Sequence, residues 1–526
     1  PAPTARPASD DVATVRHVLN RVTFGPRPQD FDRVREIGLT AWLEQQLHPE
    51  QRADRDLDAR LAGFKTLTMT SGEIAKSFSQ PLFEAQRNRK QAAGSTGTAD
   101  PGTPDAAGAA DGQPKIDPDV ARAAALPMLE LSQQKVLRAI YSDRQLEAVL
   151  TDFWFNHFNV DGRKSLDRFF LTEYERDVIR PHVFGKFRTL LGATAHSPAM
   201  LFYLDNWLNA DPNGPHAEAS GAGRLTRRDN RRQRFIQRRL TNEQRDRLAG
   251  VMPKKNGLNE NYARELMELH TLGVDGGYTQ KDVTEVARAF TGWTIDRPRQ
   301  GGASFTFDPR LHDPGDKVVL GHTIKGGRNG EQDGEAVLDL LAKHPSTARF
   351  IATKLARRFV RDDPPRSLVD RLANRFRDTD GDLREVMRTL LTSPEFLSPE
   401  AAGAKTKTPF EFVVSAIRAV GGDIVNARPI VQQVAGLGMP LYQCQPPTGY
   451  KDTADAWTNA GALVQRMNVA QLIAQGNRPS GLAAAASLDP IVIGPLSAST
   501  AAVVAKAGTD WQRIALTLGS PEFQKR

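Results

Sequence analysis

The chain of 526 residues is short of cysteine and has no long apolar run. Its single cysteine, Cys444, excludes a disulfide within the chain and a zinc site built from several cysteines. No apolar stretch reaches the roughly 18 residues that a membrane-spanning helix needs, so no transmembrane segment is expected. The chain is long, and 39% of its residues are hydrophobic, which is enough to form the cores of two domains or of one large helical body.

The net charge of +8 is concentrated in one segment. Residues 224–247 hold ten arginines and three acidic residues, a net charge of +7, so the rest of the chain carries about +1. That distribution offers no extended basic surface for a nucleic acid, and Phe235 is the segment's only aromatic residue for base stacking. The sequence therefore predicts that the segment attracts a glycan or other anionic polymer, or an acidic partner, and no nucleic acid.

The stretch from Leu258 to Trp293 has the pattern of two helices joined by a glycine-rich loop. Asn259 is placed to cap the first helix, and the helical period puts Tyr262, Leu266 and Leu269 on one apolar face. The opposite face is polar and carries two glutamates one turn apart. Like charges at that spacing repel each other, so they favour water, a cation or a ligand beside them.

These two glutamates, Glu265 and Glu268, are the first candidates for acid–base catalysis, with Asp205 at the exit of an apolar helix as a third. Glycoside cleavage uses two carboxyl groups, one of them kept protonated by an apolar setting. The alternative is a solvated face in which Arg264 offsets Glu268, with Asp205 serving only as a helix cap. The same stretch offers polar side chains for substrate binding, which are Asn261, Asp275, Tyr278 and Gln280.

A second polar stripe lies in the run DFWFNHFNV, which is predicted to be helical. Asp152, Asn156 and Asn159 fall on one side of that helix, next to Trp154. Amide and carboxyl groups beside an aromatic plate suit sugar rings, so these residues and His157 are candidates for substrate binding. The alternative for His157 is a core histidine that is hydrogen-bonded to a carbonyl group.

Motifs for metals and nucleotides are missing from the sequence. His270 does not share a helix face with the two glutamates before it, and there is no HExxH motif, P-loop, GxGxxG or GxSxG. The run DTDGDL resembles a calcium loop, but Thr389 stands where an EF-hand needs glutamate. We therefore predict no cofactor and no bound metal. The alternative is a metal site assembled from His312, Asp313 and distant residues.

Motifs that span nearly the whole chain point to a known family. They are RVTFGPRPQDFDRV, FWFNHFNV, SPAMLFYLDN, the stretch from Leu258 to Trp293, HPSTARFIATKLARRFV and SPEFQ. Together they resemble the signature of the bacterial domain-of-unknown-function family DUF1800. The resemblance implies an exported, mostly helical protein that is often encoded beside a sulfatase-like partner. Residues 92–117 and 210–256 depart from the family's pattern and look like insertions.

The expected fold is mainly α, a large multi-helix body with a small β-hairpin element near residues 303–325. A helical region over 1–91 precedes a flexible low-complexity loop at 92–117. A central helical domain over 118–400 contains the stretch 258–293 and the arginine-rich insertion 210–256. The predicted helical region 401–526 packs on that core.

The leading functional hypothesis is an exported enzyme that acts on a bacterial polysaccharide or cell-wall glycan by carboxylate acid–base chemistry. One alternative is a metal-dependent hydrolase that uses His312 and Asp313. The other is a non-catalytic partner or scaffold for the sulfatase-like protein. A periplasmic or secreted location is expected from the resemblance and from the start PAPTARPASD, which is typical of a protein after signal-peptide removal.

Overall fold

The computed structural model of the chain is mainly α-helical, as predicted. The predicted loop 92–117 and insertion 210–256 lie largely outside the described residues, and the arginine-rich segment 224–247 lies wholly outside them. The described residues are 11–95, 116–214, 257–298, 302–327, 329–476, 481–482 and 488–526.

The helices fall into three groups along the chain. The first group is α1 Val12–Val22, α2 Pro28–Ile37, α3 Leu39–Leu47, α4 Arg55–Leu61, α5 Ser71–Ile74 and α6 Gln80–Ser95. The second group is α7 Pro118–Tyr141, α8 Gln145–His157, α9 Asp167–Glu173, α10 Phe187–His196, α11 Pro198–Tyr203, α12 Asn261–Glu265, α13 Gln280–Ala289, α14 Glu331–Lys343, α15 Pro345–Phe359, α16 Arg366–Asp378 and α17 Leu383–Leu391. The third group is α18 Pro409–Ala419, α19 Ala427–Gly436, α20 Ala460–Gln475, α21 Pro490–Ile493, α22 Ala498–Ala505 and α23 Asp510–Leu518.

Shorter helical turns link several of these helices. The π-helical turns are Ala75–Ser79, Tyr174–Ile179 and Leu266–Thr271. The 3₁₀ turns are Pro49–Gln51, Lys65–Thr68, Arg180–His182, Asn206–Leu208, Pro399–Ala401 and Ala454–Ala456.

Two small antiparallel sheets form the predicted β element. Strand β1 (Trp293–Ile295) pairs with β2 (Phe305–Phe307), and β3 (Lys317–Val319) pairs with β4 (His322–Ile324). The second pair is a tight hairpin whose turn residues, Leu320 and Gly321, both have positive φ, as such turns require. The prediction near 303–325 is confirmed, with β1 as an additional strand ahead of that range.

The stretch from Leu258 to Trp293 folds as helix, glycine loop and helix, as predicted. The side chain of Asn259 accepts a hydrogen bond of 3.0 Å from the N–H of Asn261, but the N-cap of α12 is Glu260, one residue later than predicted. Tyr262 and Leu266 are buried on the predicted apolar face, with Leu266 at 0% exposure, whereas Leu269, the third residue predicted for that face, is only half-buried. After α12 the backbone widens into the π-helical turn Leu266–Thr271, which the apolar period does not predict. Wide turns of this kind are frequent at functional sites.

One continuous hydrophobic cluster joins the three groups of helices in the part of the chain that the structure describes. Val18 of α1, Leu355 of α15 and Phe412 of α18 all belong to it. Helices α8, α12 and α15, which carry the polar and charged residues described below, therefore hold fixed positions relative to one another on a shared core. Among the described helices, none is both long enough and apolar enough to cross a membrane.

Candidate functional site

The polar face of α12 borders an open cleft of about 680 Å³, which we call the Glu265 cleft. The start of α12, the loop after α8 and the end of α11 form three of its walls. The loop that follows α19 closes the fourth. The lining residues are Asp161, Arg163, Lys164, Tyr203, Leu204, Asn261, Glu265, Gln445 and Pro447.

Glu265 is the lining carboxyl group without an ion pair among the described residues. Its side chain is half-buried, and it has no hydrogen bond or ion pair with any residue that the structure describes. Burial raises the pKa of Glu265, the charge of Glu268 raises it further, and only Arg264 opposes the shift. Arg264 points to other partners, since its Nη2 donates to Gln280 Oε1 at 2.8 Å.

Glu268, the second predicted glutamate, lies beside Glu265 on the same helical segment but does not line the cleft. Its Oε2 accepts a hydrogen bond of 3.3 Å from the hydroxyl group of Tyr278. Burial, followed by the charge of Glu268, raises the pKa of Tyr278. Gln280 is turned away and donates to Glu260, and Asp275 is exposed in the glycine loop.

The opposite wall carries ion pairs that the sequence patterns did not reveal. Arg163 holds the buried carboxylate of Asp161 in a two-pronged pair, with Nε–Oδ1 and Nη2–Oδ2 distances of 3.0 Å. Lys164 Nζ donates to Asp205 Oδ1 at 2.8 Å, so Asp205 is tied to the wall through a lining residue. The only sequence signal for these groups is the run VDGRK directly after the α8 stripe.

Asp167, at the first position of α9, lies buried among the same charges. It is 0% exposed, and neither carboxyl oxygen has a hydrogen-bond partner among the described residues. Burial raises the pKa of Asp167 well above its ordinary value, the charges of Asp205 and Asp161 raise it further, and Lys164 opposes them. Burial and the neighbouring carboxylates therefore favour the protonated form of Asp167.

Two amide side chains of the predicted polar stripe, those of Asn156 and Asn159, are hydrogen-bonded to the loop that follows α19. Asn156 Nδ2 donates to the Tyr450 carbonyl oxygen at 2.8 Å, and Asn156 Oδ1 accepts from the Tyr450 N–H at 2.7 Å. Asn159 Nδ2 donates to the carbonyl oxygens of Cys444 and Pro446, both at 2.9 Å. Both amides thus bind backbone of the protein itself.

Trp154 is 1% exposed and packs edge-on against Phe153 and His157. The ring therefore has no open face for a sugar, in contrast to the aromatic plate that the sequence suggested. Asp152 is ion-paired with Lys135, with an Nζ–Oδ1 distance of 2.7 Å.

His157 is buried and has both ring nitrogens occupied. Its Nε2 lies 3.1 Å from the carbonyl oxygen of His270, and its Nδ1 lies 2.9 Å from Lys354 Nζ. The carbonyl contact is the one that the core-histidine alternative described. With Asp152 and Asn156, His157 lines a second cavity of about 350 Å³, the Lys354 pocket. The structure therefore does not bring the predicted site residues together. Asn261 and Glu265 line the Glu265 cleft, Asp152, Asn156 and His157 line the Lys354 pocket, and the others line neither cavity.

His312 and Asp313 are partly buried and belong to a network of charges that includes Lys317 of β3 and the buried Asp333. Both Asp313 oxygens accept from Arg288, at 2.7 and 3.1 Å. His312 Nε2 lies 3.2 Å from Asp333 Oδ2, and Lys317 Nζ lies 2.6 Å from the same oxygen. Within the described ranges, no group of three or more histidine, cysteine, aspartate or glutamate side chains is placed to hold a metal ion.

A comparison with known protein families matches residues 17–525 to the family described as "Protein of unknown function (DUF1800)". No curated protein and no solved structure matches the chain. The family match covers nearly the whole sequence and confirms the resemblance that the motifs indicated. The chain therefore belongs to the DUF1800 family.

Proposed function

We propose that this protein is an exported bacterial enzyme that cleaves a polysaccharide or cell-wall glycan at the Glu265 cleft. The observation that carries the proposal is the environment of Glu265. This carboxyl group is half-buried in an open cleft, has a raised pKa, and has no partner among the described residues. A carboxyl group that keeps its proton to higher pH is suited to protonate a leaving glycosidic oxygen.

In the proposed mechanism, Glu265 is the general acid and Asp161 is the second carboxylate of the cleft. The two-pronged ion pair with Arg163 fixes the position of Asp161, which also lines the cleft. A fixed carboxylate on the opposite wall serves either to activate water or to stabilise positive charge on the sugar ring. Glu268 is a positioning residue in this mechanism, because its negative charge keeps the proton on Glu265.

The remaining lining groups suit a polar polymer. Asn261, Lys164 and Tyr203 bring amide, ammonium and hydroxyl groups to one cleft, and sugars present hydroxyl groups that pair with all three. An open cleft of about 680 Å³ has room for a segment of a polysaccharide. The arginine-rich segment 224–247 supplies positive charge for anionic glycans of the bacterial envelope.

The proposal is tested by incubating the purified protein with a panel of bacterial polysaccharides and peptidoglycan and measuring the release of reducing ends. We expect release by the wild type and a rate lower by about 10²- to 10⁴-fold for Glu265→Gln. Glu36→Gln, which alters an exposed glutamate of α2, is the matched control and is expected to keep wild-type activity.

Two results would contradict the proposal. Release that is undiminished in Glu265→Gln would place the chemistry elsewhere and favour the hydrolase alternative at His312 and Asp313. Absence of release from every polysaccharide would favour the non-catalytic alternative, a partner or scaffold for a sulfatase-like protein.

A further inference from the structure

Helix α15 presents three cations to the Lys354 pocket. Lys354, Arg357 and Arg358 are spaced i, i+3 and i+4, so they share one face of the helix, and all three line the cavity. The exposed Lys451 also lines the cavity, which therefore reaches the protein surface. Three like charges on one helical turn repel each other unless carboxylates or a bound anion balance them.

The carboxylates of this pocket are paired with cations other than Lys354 and Arg357. Asp152 lies 2.7 Å from Lys135 Nζ through Oδ1 and 3.8 Å from Arg358 Nη2 through Oδ2. Asp452 Oδ1 lies 3.4 Å from Lys405 Nζ and 3.7 Å from Arg358 Nη1. Among the residues that the structure describes, no carboxylate forms an ion pair with Lys354 or with Arg357. The pocket therefore has a surplus of positive charge.

Lys354 is held in place by a chain of two hydrogen bonds. A carbonyl oxygen only accepts, so the contact of 3.1 Å with the His270 carbonyl fixes the hydrogen of His157 on Nε2. His157 Nδ1 is then the acceptor for Lys354 Nζ at 2.9 Å. Burial lowers the pKa of Lys354 to about 8, with Arg357 adding to the shift and Asp452 opposing it. The remaining donors of the ammonium group are available to a ligand.

Arg358 provides an independent sign of a missing partner. It is 4% exposed, and its Nη1 binds Glu411 Oε1 at 2.6 Å. Its Nε and Nη2 groups are buried and have no hydrogen-bond partner among the described residues, and the Asp152 carboxylate lies 3.8 Å from Nη2, beyond hydrogen-bond distance. Glu411 Oε1 also lies 3.0 Å from Arg526 Nη2, so two buried guanidinium groups share one carboxylate. Buried N–H groups of a charged side chain that lack a hydrogen-bond partner are costly, and an anion in the adjoining cavity would supply that partner.

We propose that the Lys354 pocket binds the oxyanion group of a small ligand, a carboxylate, sulfate or phosphate, between Lys354, Arg357 and Arg358. Planar guanidinium groups bind two oxygens of such a group at once, and the ammonium group adds a compact point charge. The cavity of about 350 Å³ has room for a small molecule. This site is independent of the proposed glycan cleavage, since none of its three cations lines the Glu265 cleft.

The first test is isothermal titration calorimetry with sodium phosphate, sodium sulfate and sodium acetate, each compared with sodium chloride at equal ionic strength. We expect saturable binding of at least one of the three oxyanions, and the anion that binds identifies the ligand's charged group. Lys354→Gln and Arg357→Gln should each weaken that binding by about 10- to 100-fold. Arg349 also lies on α15, but its side chain is exposed and is paired with Asp370 of α16. Arg349→Gln should therefore leave Kd unchanged.

A second readout follows the proton on Lys354. A bound anion favours the charged form of the lysine, so binding near its pKa takes up protons, measured as a dependence of the binding heat on the buffer's ionisation enthalpy. His157, His270, Asp452 and Arg357 also face or influence this group. Proton uptake by the wild type that disappears in Lys354→Gln assigns it to Lys354.

Three results would overturn the proposal. The first is binding of all three oxyanions no stronger than that of chloride. The second is an equal loss of affinity in Lys354→Gln, Arg357→Gln and Arg349→Gln, which indicates a diffuse effect of charge. The third is proton uptake that persists in Lys354→Gln. If Lys354→Gln fails to fold, Arg357→Gln carries the comparison, because its side chain is only half-buried.

Discussion

Replacing Asp167 by asparagine tests whether a buried acid is held uncharged beneath the Glu265 cleft. Asp167 is fully buried, and neither carboxyl oxygen has a hydrogen-bond partner in the described chain. Lys164 is the nearby cation, but it is already bound to Asp205 at 2.8 Å. The folded protein therefore has little to stabilise a charge on Asp167, whereas water stabilises that charge in the unfolded chain.

The sign of the effect follows from the raised pKa. As the pH rises past about 3.9, the ordinary value for aspartate, the unfolded chain releases the Asp167 proton first. The free energy of unfolding of the wild type then falls with pH, and the loss continues until the folded pKa is reached. Asparagine cannot ionise, so Asp167→Asn removes this loss. Because the side chain is fully buried without partners, we expect a relative gain of about 1–3 kcal/mol between about pH 4 and about pH 7.

The assay is urea unfolding of both proteins across that pH range, followed by circular dichroism. The quantity of interest is the difference in free energy of unfolding between variant and wild type, and we expect it to grow as the pH rises. Asp58→Asn, an exposed aspartate of α4, is the control and should show no such trend. A difference for Asp167→Asn that stays constant or shrinks with rising pH would refute the reasoning.

Three further substitutions have definite expected outcomes. Leu266→Ala should cost about 2–5 kcal/mol of unfolding free energy because the side chain is fully buried, and a wild-type urea midpoint would show that the site tolerates the loss. Glu268→Gln should lower the pKa of Glu265 and move the alkaline limb of the pH–rate profile for glycan cleavage to lower pH; the opposite shift would count against the assigned acid. Gly449→Ala should destabilise the protein by about 1–3 kcal/mol, since φ is +73° and the added Cβ would lie 2.2 Å from the Asn156 carbonyl oxygen; unchanged thermal melting would show that this loop can move.

Local patterns were sufficient to predict most of the fold. The helical period placed Tyr262 and Leu266 on the buried face, and Asn259 marked the start of α12 to within one residue. The short strands between Phe305 and Ile324 were also predicted. These features depend on neighbours within a few residues, so one sequence contains the necessary information. The π-helical turn after Glu265 depends on tertiary packing and left no pattern.

The candidate sites were less predictable because distant segments build them. His157 meets Lys354 across 197 residues, and Asn156 binds Tyr450 across 294 residues. A polar stripe on a helix shows that hydrogen-bonding groups are present, but not whether a ligand or the protein's own backbone occupies them. Lys354 and its neighbouring arginines could only be assigned to a pocket once α15 was placed against α8.

The most direct measurement is the titration of Glu265 itself, since the proposed function depends on a proton that this group keeps in the open cleft. Isotope-edited infrared spectroscopy of protein with labelled glutamate, taken as wild type minus Glu265→Gln, isolates the carboxyl band of this one residue. We predict a midpoint above about 4.3, the ordinary value for glutamate, and a lower midpoint when Glu268 is also replaced by glutamine. A midpoint at or below the ordinary value, or one that does not respond to the charge of Glu268, would contradict the assignment of Glu265 as the acid.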